Sequence, residues 1–184
     1  MTTTPQSVRI EIWQYTYARA SLIEARETAI LMLANPKLPV ALQQACTYQI
    51  VVAYARPFTK CQVTDSKRMA LLHDDLVPRA FRAIHSQHLE LRDQAIGHKD
   101  AGAYPGTPLN RVIVSVDKDG VECKTVSPYT ILPLVLQQTV ELCNVLIAFC
   151  ESKAKSHDNH FMNLKEGTYV LNLEPPPAAW LVKQ

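Results

Sequence analysis

The sequence lacks any run of about 18 consecutive apolar residues, the length that a membrane-spanning helix needs. Residues 1–13 also lack a basic start followed by an apolar stretch, so no secretory signal is predicted. The five cysteines form no CxxC pair and are odd in number, which argues against a zinc knuckle or a closed disulfide framework. We therefore expect a cytoplasmic protein with reduced thiols and no membrane association.

The chain also lacks a large excess of charge of either sign. Its net charge of +2 is too small to indicate a strongly basic nucleic-acid-binding face, although it leaves room for a local patch. No GxSxG elbow, P-loop or GxGxxG motif occurs, which removes the common patterns of serine hydrolases and nucleotide-binding α/β folds. With 47% hydrophobic and 20% charged residues over 184 positions, the composition predicts one soluble globular domain.

Helical patterns dominate what remains. Apolar residues recur at spacings of three and four in segments that are dense in good helix formers, and prolines close or interrupt these segments. Pro78 is predicted to break the third segment, and Ser127 with Pro128 to start the last. Residues 8–16 alternate apolar and polar positions, which leaves open a short strand or an early turn of the first helix. The predicted helices are 17–34, 39–56, 67–76, 79–96 and 128–156.

The remaining segments are predicted not to be helical. Residues 59–67 and 97–108 are predicted loops, the second because it contains three glycines and two prolines. Residues 111–126 hold two β-branched runs on either side of the turn DKDG, which predicts a β-hairpin. The end of the chain holds a short β-prone run, TYVLNL, followed by EPPPAAW, which no helix or central strand can contain.

These elements predict a mainly α fold. We expect an up-and-down bundle of four or five helices with one inserted β-hairpin at about 111–126 and an irregular, proline-rich C-terminal tail. Short connections favour antiparallel packing of neighbouring helices, each with one apolar face to bury. The predicted organisation is an N-terminal arm at 1–16, a helical bundle domain at 17–156, and a tail at 157–184 that packs on the body.

One polar cluster lies at the end of a predicted helix, directly before the loop at 97–108. It comprises Arg92, Asp93 and His98 in the stretch HLELRDQAIGHKD. Metal-free cleavage of RNA by its own 2′-hydroxyl needs a group that transfers a proton near neutral pH and a fixed cation for the phosphate oxygens. Histidine, with an ordinary pKa of about 6.5, suits the first role, and the guanidinium of arginine suits the second. Asp93 would orient either group by hydrogen bonding.

The spacing within this cluster imposes a geometric condition. On an ideal helix, Arg92 and His98 would be separated by roughly 120° and about 9 Å of rise. They share one phosphate only if Gly97 unwinds the last turn or if two subunits each contribute half of the site. A simpler interpretation stays open, in which Arg92 and His98 only interact favourably with the helix macrodipole. Asp93 would then pair with Lys99 or face solvent.

The stretch LRDQAIGH at 91–98 resembles the HEPN superfamily, the higher-eukaryote and prokaryote nucleotide-binding helical bundles. The motif of that superfamily is an arginine, a polar residue, three to five further residues and a histidine, on the helix before a loop. Together with YARPF at 54–58, the stretch is similar to a little-characterised bacterial branch. The resemblance implies a helical bundle over about 17–156 that dimerises and that, in many members, is a metal-independent endoribonuclease of toxin or antiphage systems.

The same resemblance implies roles for individual residues. Arg92 and His98 would act on the scissile RNA phosphate in a site shared between two subunits, with Asp93 completing the catalytic set. The implied partners are a second copy of the chain, an RNA substrate and an antitoxin protein, and no cofactor is implied. Other members of the superfamily have lost the activity. The alternative expectation is therefore a non-catalytic dimeric interaction or regulatory module, in which the same cluster holds the helix end and the interface together.

His85 and His88 are further candidates because they precede Arg92 on the same predicted helix face. They would line the same groove as Arg92 or make polar contacts in a helix interface. An HxxH pair can also hold zinc, but it needs further ligands from elsewhere, such as Asp74 or Cys150, and no metal is predicted.

Positive charge accumulates in this region, and Tyr54 and Phe58 offer aromatic rings for base stacking. A solvated helix face is the commoner explanation for scattered arginines, so this assignment stays a hypothesis. The predicted RNA-binding residues are Arg56, Arg79, Arg82, His85, His88 and Lys99.

Overall fold

The computed structural model describes residues 5–64, 67–93, 112–117, 120–125, 131–162, 164–171, 173 and 181–183. Within these residues the mainly helical class is confirmed. The α-helices of the described residues are α1 (Gln6–Ala34), α2 (Val40–Ala55), α3 (Arg82–Glu90) and α4 (Pro133–Lys155).

Helix α1 is the central element and packs against both α2 and α4. Its antiparallel course relative to α4 follows from two contacts, Arg19 with Glu151 and Arg26 with Asn144. Fully buried alanines along α1 let the neighbouring helices approach closely. The side chains that fill the core between the helices include Ala18, Leu22, Ala25, Ala53, Tyr54, Leu72, Leu142 and Leu146.

The first helix begins earlier than predicted. Residues 6–16, which the sequence analysis placed in an N-terminal arm, form the first turns of α1. Ile10 and Gln14 are buried at four-residue spacing ahead of buried Ala18, so the helical seam continues through the segment that alternates in sequence. The side-chain amide of Gln14 donates a hydrogen bond to the carbonyl of Leu71, which couples this early part of α1 to the bundle.

The predicted helix at 67–76 is wrong. Residues Lys67–Met69 form strand β2, which pairs antiparallel with β1 (Cys61–Thr64) where a loop was predicted. The backbone N–H groups of Leu71 and Leu72 donate to the carbonyl of Pro57 at 2.8 and 2.9 Å. Because these donors bind a distant carbonyl and both side chains enter the core, the segment does not form the local hydrogen bonds of a helix.

The predicted helix at 79–96 is shorter in the structure. Single 3₁₀ turns at Asp74–Leu76 and Arg79–Phe81 lead into α3, which begins at Arg82. Residues 91–93 form a π-helical turn at the end of α3. Residues 94–96 lie outside the described part of the chain.

The segment before the last helix contains a strand pair. Strand β3 (Val112–Asp117) pairs antiparallel with β4 (Gly120–Thr125), and Asp117 lies opposite Gly120. Helix α4 begins at Pro133, which occupies its first turn, and not near Pro128 as predicted. Ser127 and Pro128 lie outside the described residues.

The C-terminal segment is less irregular than predicted. A 3₁₀ turn at Asp158–His160 follows α4, and β5 (Tyr169–Leu171) pairs antiparallel with β6 (Leu181–Lys183). The β-prone run TYVLNL supplies β5, whereas the pattern of residues 174–184 did not indicate a strand. His157 Nε2 lies 3.1 Å from Glu11 Oε2, so the start of this segment contacts α1.

Among the described residues, the stretch Pro133–His160 is long and apolar enough to cross a membrane by length and composition alone. Core helices of globular proteins pass the same test. Helix α4 packs against α1 and buries Leu142, Leu146 and Cys150 completely, so this single observation is weak support for membrane insertion.

Candidate functional site

The described part of the predicted catalytic cluster lies at the end of α3. Arg92 Nη1 is 2.7 Å from Asp93 Oδ1, and Arg92 Nη2 donates a hydrogen bond to Thr59 Oγ1. The Arg92 side chain is 32% exposed and that of Asp93 is 55% exposed. The guanidinium is therefore held by two partners at the rim of the bundle while part of it faces solvent.

Among the described residues, Asp93 pairs with the adjacent Arg92 while more than half of its side chain faces solvent. The alternative prediction, pairing of Asp93 with Lys99, falls on a residue outside the described part of the chain. The contact with Arg92 fits the orienting role that the sequence analysis gave to Asp93. Gly97, His98 and Lys99 lie outside the described residues, so the approach of His98 to Arg92 stays a prediction.

The structure separates His85 and His88 from the solvent. Both side chains are buried, His88 completely, against Tyr54 and Phe58. The ring centroids of Tyr54 and His88 are 4.9 Å apart, and those of Phe58 and His85 are 4.6 Å apart. These contacts join α3 to the end of α2. Because both rings are buried, they fit the alternative prediction of polar contacts in a helix interface and not an exposed place in an RNA-binding groove.

The hydrogen bonds around His88 indicate which of its ring nitrogens carries the proton. Thr139 Oγ1 donates to the carbonyl of Val135 at 2.7 Å and lies 2.9 Å from His88 Nε2. Because the hydroxyl has already used its proton, Nε2–H of His88 must donate to Thr139. His88 Nδ1 is then an unprotonated acceptor, and no described residue forms a hydrogen bond with it in its buried position.

His85 lies between Tyr54 and the surface residue Asp74. Its Nδ1 is 2.8 Å from the hydroxyl of Tyr54, and its Nε2 is 3.4 Å from Asp74 Oδ1, which is outside hydrogen-bond geometry. A carboxylate facing Nε2 favours the tautomer with the proton on Nε2, so the hydroxyl of Tyr54 donates to Nδ1.

Burial controls the ionisation of this cluster. Burial, together with a smaller effect of the neighbouring His85, lowers the pKa of His88 to about 4. Burial also lowers the pKa of His85, although Asp74 offsets part of this effect. Burial raises the pKa of Tyr54, so its hydroxyl keeps its proton. The rings of Tyr54, Phe58, His85 and His88 therefore form an uncharged cluster that packs α3 against the end of α2.

The described arginines among the predicted RNA-binding residues have different surroundings. Arg56 Nη1 lies 3.1 Å from Glu24 Oε2 and 3.5 Å from Ser21 Oγ, so it points toward α1. Arg79 and Arg82 are exposed and make no ion pair with another described residue. Of the predicted catalytic residues, the structure describes Arg92 and Asp93 and brings these two into contact with each other.

No group of three or more histidine, cysteine, aspartate or glutamate side chains that could hold a metal occurs within the described ranges. Asp74 approaches His85, but Cys150 lies in the core, where burial raises the pKa of its thiol to about 11. His157 and His160 have ring centroids 6.1 Å apart near the end of α4, and His157 contacts Glu11. Neither group of contacts amounts to a metal-ligand set within the described ranges.

A cavity of about 210 Å³ lies between the end of α1 and the start of α4. Its wall is largely apolar, with Met32, Ile131 and Leu136 among the lining residues. The side-chain amides of its two polar residues, Asn35 and Gln43, donate to the backbone carbonyls of Leu31 and Leu38. These bonds use one of the two N–H donors of each amide, and the rest of the wall is apolar, so the cavity offers few groups to orient a polar cofactor.

No sequence pattern indicated Thr59, the second partner of Arg92. Thr59 is 33 residues away in sequence, in a segment that was predicted to be a loop. No local pattern marks a contact of this kind. Thr59 directly follows the stretch YARPF, which is one of the two stretches that carry the resemblance to HEPN proteins. This position is the signal in the sequence that could have drawn attention to Thr59.

Comparison with protein-family models, curated proteins and solved structures finds no match to this chain. The likeness to HEPN proteins therefore rests on residues 54–58 and 91–98 and on the helical class. It remains a proposal.

Proposed function

We propose that the chain is a HEPN-like, metal-independent endoribonuclease in which Arg92 stabilises phosphate charge and His98 transfers the proton. The observation that carries the proposal is the Arg92 guanidinium, which two partners hold at a helix end six residues before His98. Attack by the neighbouring 2′-hydroxyl increases negative charge on the phosphate oxygens. A fixed two-pronged donor is the group that offsets this charge.

The contacts of Arg92 leave it able to bind an anion. A guanidinium has five N–H donors, and Thr59 and Asp93 each engage one nitrogen. Part of the side chain faces solvent, and its contacts with the described residues leave N–H donors for a phosphate. Because Asp93 offsets the charge of Arg92, directed hydrogen bonds would contribute more to recognition than net charge. A small overall charge of +2 agrees with this mode.

The π turn at 91–93 also supports the proposal. Such turns are often found at functional sites, and they widen the helix. The angle of roughly 120° between Arg92 and His98 holds only for an ideal α-helix, so it does not apply across this turn. We propose that the turn, together with Gly97 or a second subunit, brings the imidazole and the guanidinium to one phosphate.

The proposal extends to the architecture and the partners that the resemblance implies. The chain would be an up-and-down bundle of four or five helices with the inserted hairpin, acting as a cytoplasmic homodimer. Asp93 would complete the catalytic set, and the remaining basic residues Arg79, Arg82 and Lys99 would contact the RNA backbone. A toxin or phage-defence role with an antitoxin partner belongs to the same proposal.

A non-catalytic dimeric interaction or regulatory module is the second candidate. Helix α2 favours it, because none of its residues is charged and its outer face is apolar. Val40 and Leu42 are 66% and 51% exposed on that face. An exposed apolar face of this kind fits a protein partner better than RNA. In this function the Arg92–Asp93 pair would stabilise the helix end only.

RNA cleavage by purified protein in EDTA separates the two candidates. Wild type, Arg92→Ala and His98→Ala are incubated with a mixed RNA panel after circular dichroism shows that all are folded. We expect cleavage by wild type and a loss of at least about 100-fold in both variants, because each removes charge stabilisation or proton transfer.

Arg19→Ala is the matched control, because Arg19 is also an ion-paired arginine, 2.8 Å from Glu151, but lies on α1. It should cleave like wild type. A wild-type protein that cleaves no RNA of the panel contradicts the nuclease function. Size-exclusion chromatography of the same samples measures the dimer that both candidates require.

A further inference from the structure

We propose that Thr59 is the positioning residue of the site, because it fixes the Arg92 guanidinium relative to the bundle. The inference rests on the proposed function for its effect on catalysis. The contact itself, a hydrogen bond from Arg92 Nη2 to Thr59 Oγ1, joins the segment after α2 to the end of α3.

The hydroxyl of Thr59 has a defined direction. Thr59 Oγ1 donates its proton to the carbonyl of Ala55 at 2.9 Å. Since a hydroxyl has one proton, only its lone pairs are left for Arg92, and it acts as an acceptor. The branched side chain restricts rotation about the Cα–Cβ bond, so the acceptor stays in one place.

The segment that carries Thr59 is anchored on both sides. Pro57 is buried, and its carbonyl accepts hydrogen bonds from the N–H groups of Leu71 and Leu72. Phe58 packs against the rings of Tyr54 and His85. Thr59 is therefore attached to the core and does not move independently of it.

Asp93 does not provide the same constraint. It follows Arg92 directly in the chain and lies on the same π turn, so the two side chains would move together with that turn. Thr59 belongs to another element, and its contact limits the position of the guanidinium relative to α2. Of the two partners, Thr59 is therefore the one that fixes the position of the Arg92 guanidinium relative to a different element of the bundle.

The test uses a pair of substitutions at Thr59. Thr59→Val keeps the shape and removes the acceptor, whereas Thr59→Ser keeps the hydroxyl. We expect Thr59→Val to lower kcat for RNA cleavage between about 10-fold and 100-fold, since small misplacement of a catalytic group has effects of this size. KM should change little, because Arg92 acts mainly on charge that develops in the transition state. Thr59→Ser should restore kcat to within about threefold of wild type.

Thr28→Val is the matched control. Thr28 Oγ1 makes the same bond to a carbonyl four residues earlier, that of Glu24 at 2.8 Å, but accepts no hydrogen bond from an arginine of the described residues. It should leave kcat unchanged. Equal kcat values for Thr59→Val and wild type would overturn the proposal, as would a loss that Thr59→Ser does not restore.

A measurement without RNA separates this inference from the nuclease function. In protein with ¹⁵N-labelled arginine, restricted rotation of the Arg92 guanidinium gives separate Nη signals, which Arg92→Lys identifies by their loss. We expect separate signals in wild type and Thr59→Ser and one averaged signal in Thr59→Val. This result without any cleavage would support positioning by Thr59 and overturn the nuclease function. Separate signals that persist in Thr59→Val would overturn the positioning role.

Discussion

His88 and Arg92 lie one helical turn apart on the same side of α3 and its terminal π turn, yet their surroundings are opposite. His88 is completely buried between Tyr54 of α2 and Thr139 of α4, and it is neutral. Arg92 remains charged at the rim, with Thr59 and Asp93 as partners. A shared helix face thus predicts that residues are neighbours, but it does not predict how deeply each is buried.

The two positions also differ in what holds them. His88 contributes to folding through packing and one hydrogen bond, whereas the Arg92 contacts are partly exposed and screened by solvent. We therefore expect substitutions at His88 to affect stability strongly. Substitutions at Arg92 should affect activity while leaving stability nearly unchanged.

The largest effect on stability is expected for His88→Ala. Removing a completely buried ring leaves a cavity between α2, α3 and α4, which should lower the free energy of unfolding by roughly 3–5 kcal/mol. Urea denaturation at pH 7 measures the change. Gln87→Ala, an exposed position on the same helix, is the control and should change stability by less than about 0.5 kcal/mol.

His88→Leu sharpens this prediction. Leucine refills much of the space, and Thr139 keeps its bond to the carbonyl of Val135, so no donor loses its partner. Most of the stability lost in His88→Ala should therefore return. If His88→Ala proves no less stable than Gln87→Ala, the ring does not contribute to the core as the structure indicates.

The next effect concerns pH. The pKa of His88 is lowered by burial from its usual 6.5 to about 4, so the unfolded chain binds the proton first as the pH falls. The stability associated with the neutral ring is fully present above about pH 6.5 and decreases as the pH falls toward 4. The expected loss over this range is about 3 kcal/mol, and His85, with its own lowered pKa, adds to it.

Urea denaturation of wild type and His88→Leu between pH 7 and pH 4 tests this dependence. Leucine cannot take up a proton, so the variant should lose less stability on acidification. The carboxylates titrate in both proteins, and the comparison removes their contribution. Curves of equal slope for the two proteins would show that His88 does not become charged on unfolding in this range.

The smallest effects on stability are expected at the surface arginines. Arg92→Ala and Arg56→Ala each remove a partly exposed ion pair, which should change the free energy of unfolding by less than about 1 kcal/mol. Their effects on RNA cleavage should differ, because Arg56 is directed toward Glu24 of α1. Loss of cleavage in Arg92→Ala only is the expected result. Equal loss in both variants would place Arg56 in the site.

The sequence was informative where helix formation depends on local pattern. Apolar spacing and closing prolines predicted the mainly α class and the positions of α2 and most of α1. The helix predicted at 67–76 failed because the N–H groups of Leu71 and Leu72 bind the carbonyl of Pro57. That contact depends on how the chain folds back, and no local window of sequence contains it.

In the candidate site too, local sequence pattern identified some residues, whereas contacts between distant parts of the chain could not be predicted. The order of residue types in LRDQAIGH singled out Arg92 and Asp93, which the structure places in contact. Helical spacing ahead of Arg92 suggested RNA contacts for His85 and His88, which the structure buries. It did not indicate Thr59, because a partner 33 residues away leaves no periodic signal.

The sequence by itself determined the helical class and which residues carry ionisable or hydrogen-bonding groups, because composition and periodicity are local properties of the chain. Only the tertiary structure decided which of these groups became buried and neutral and which stayed charged at the surface. The physical reason is that desolvation depends on the elements that cover a side chain. Tyr54 and Thr139 cover His88, whereas Thr59 leaves part of Arg92 open to solvent.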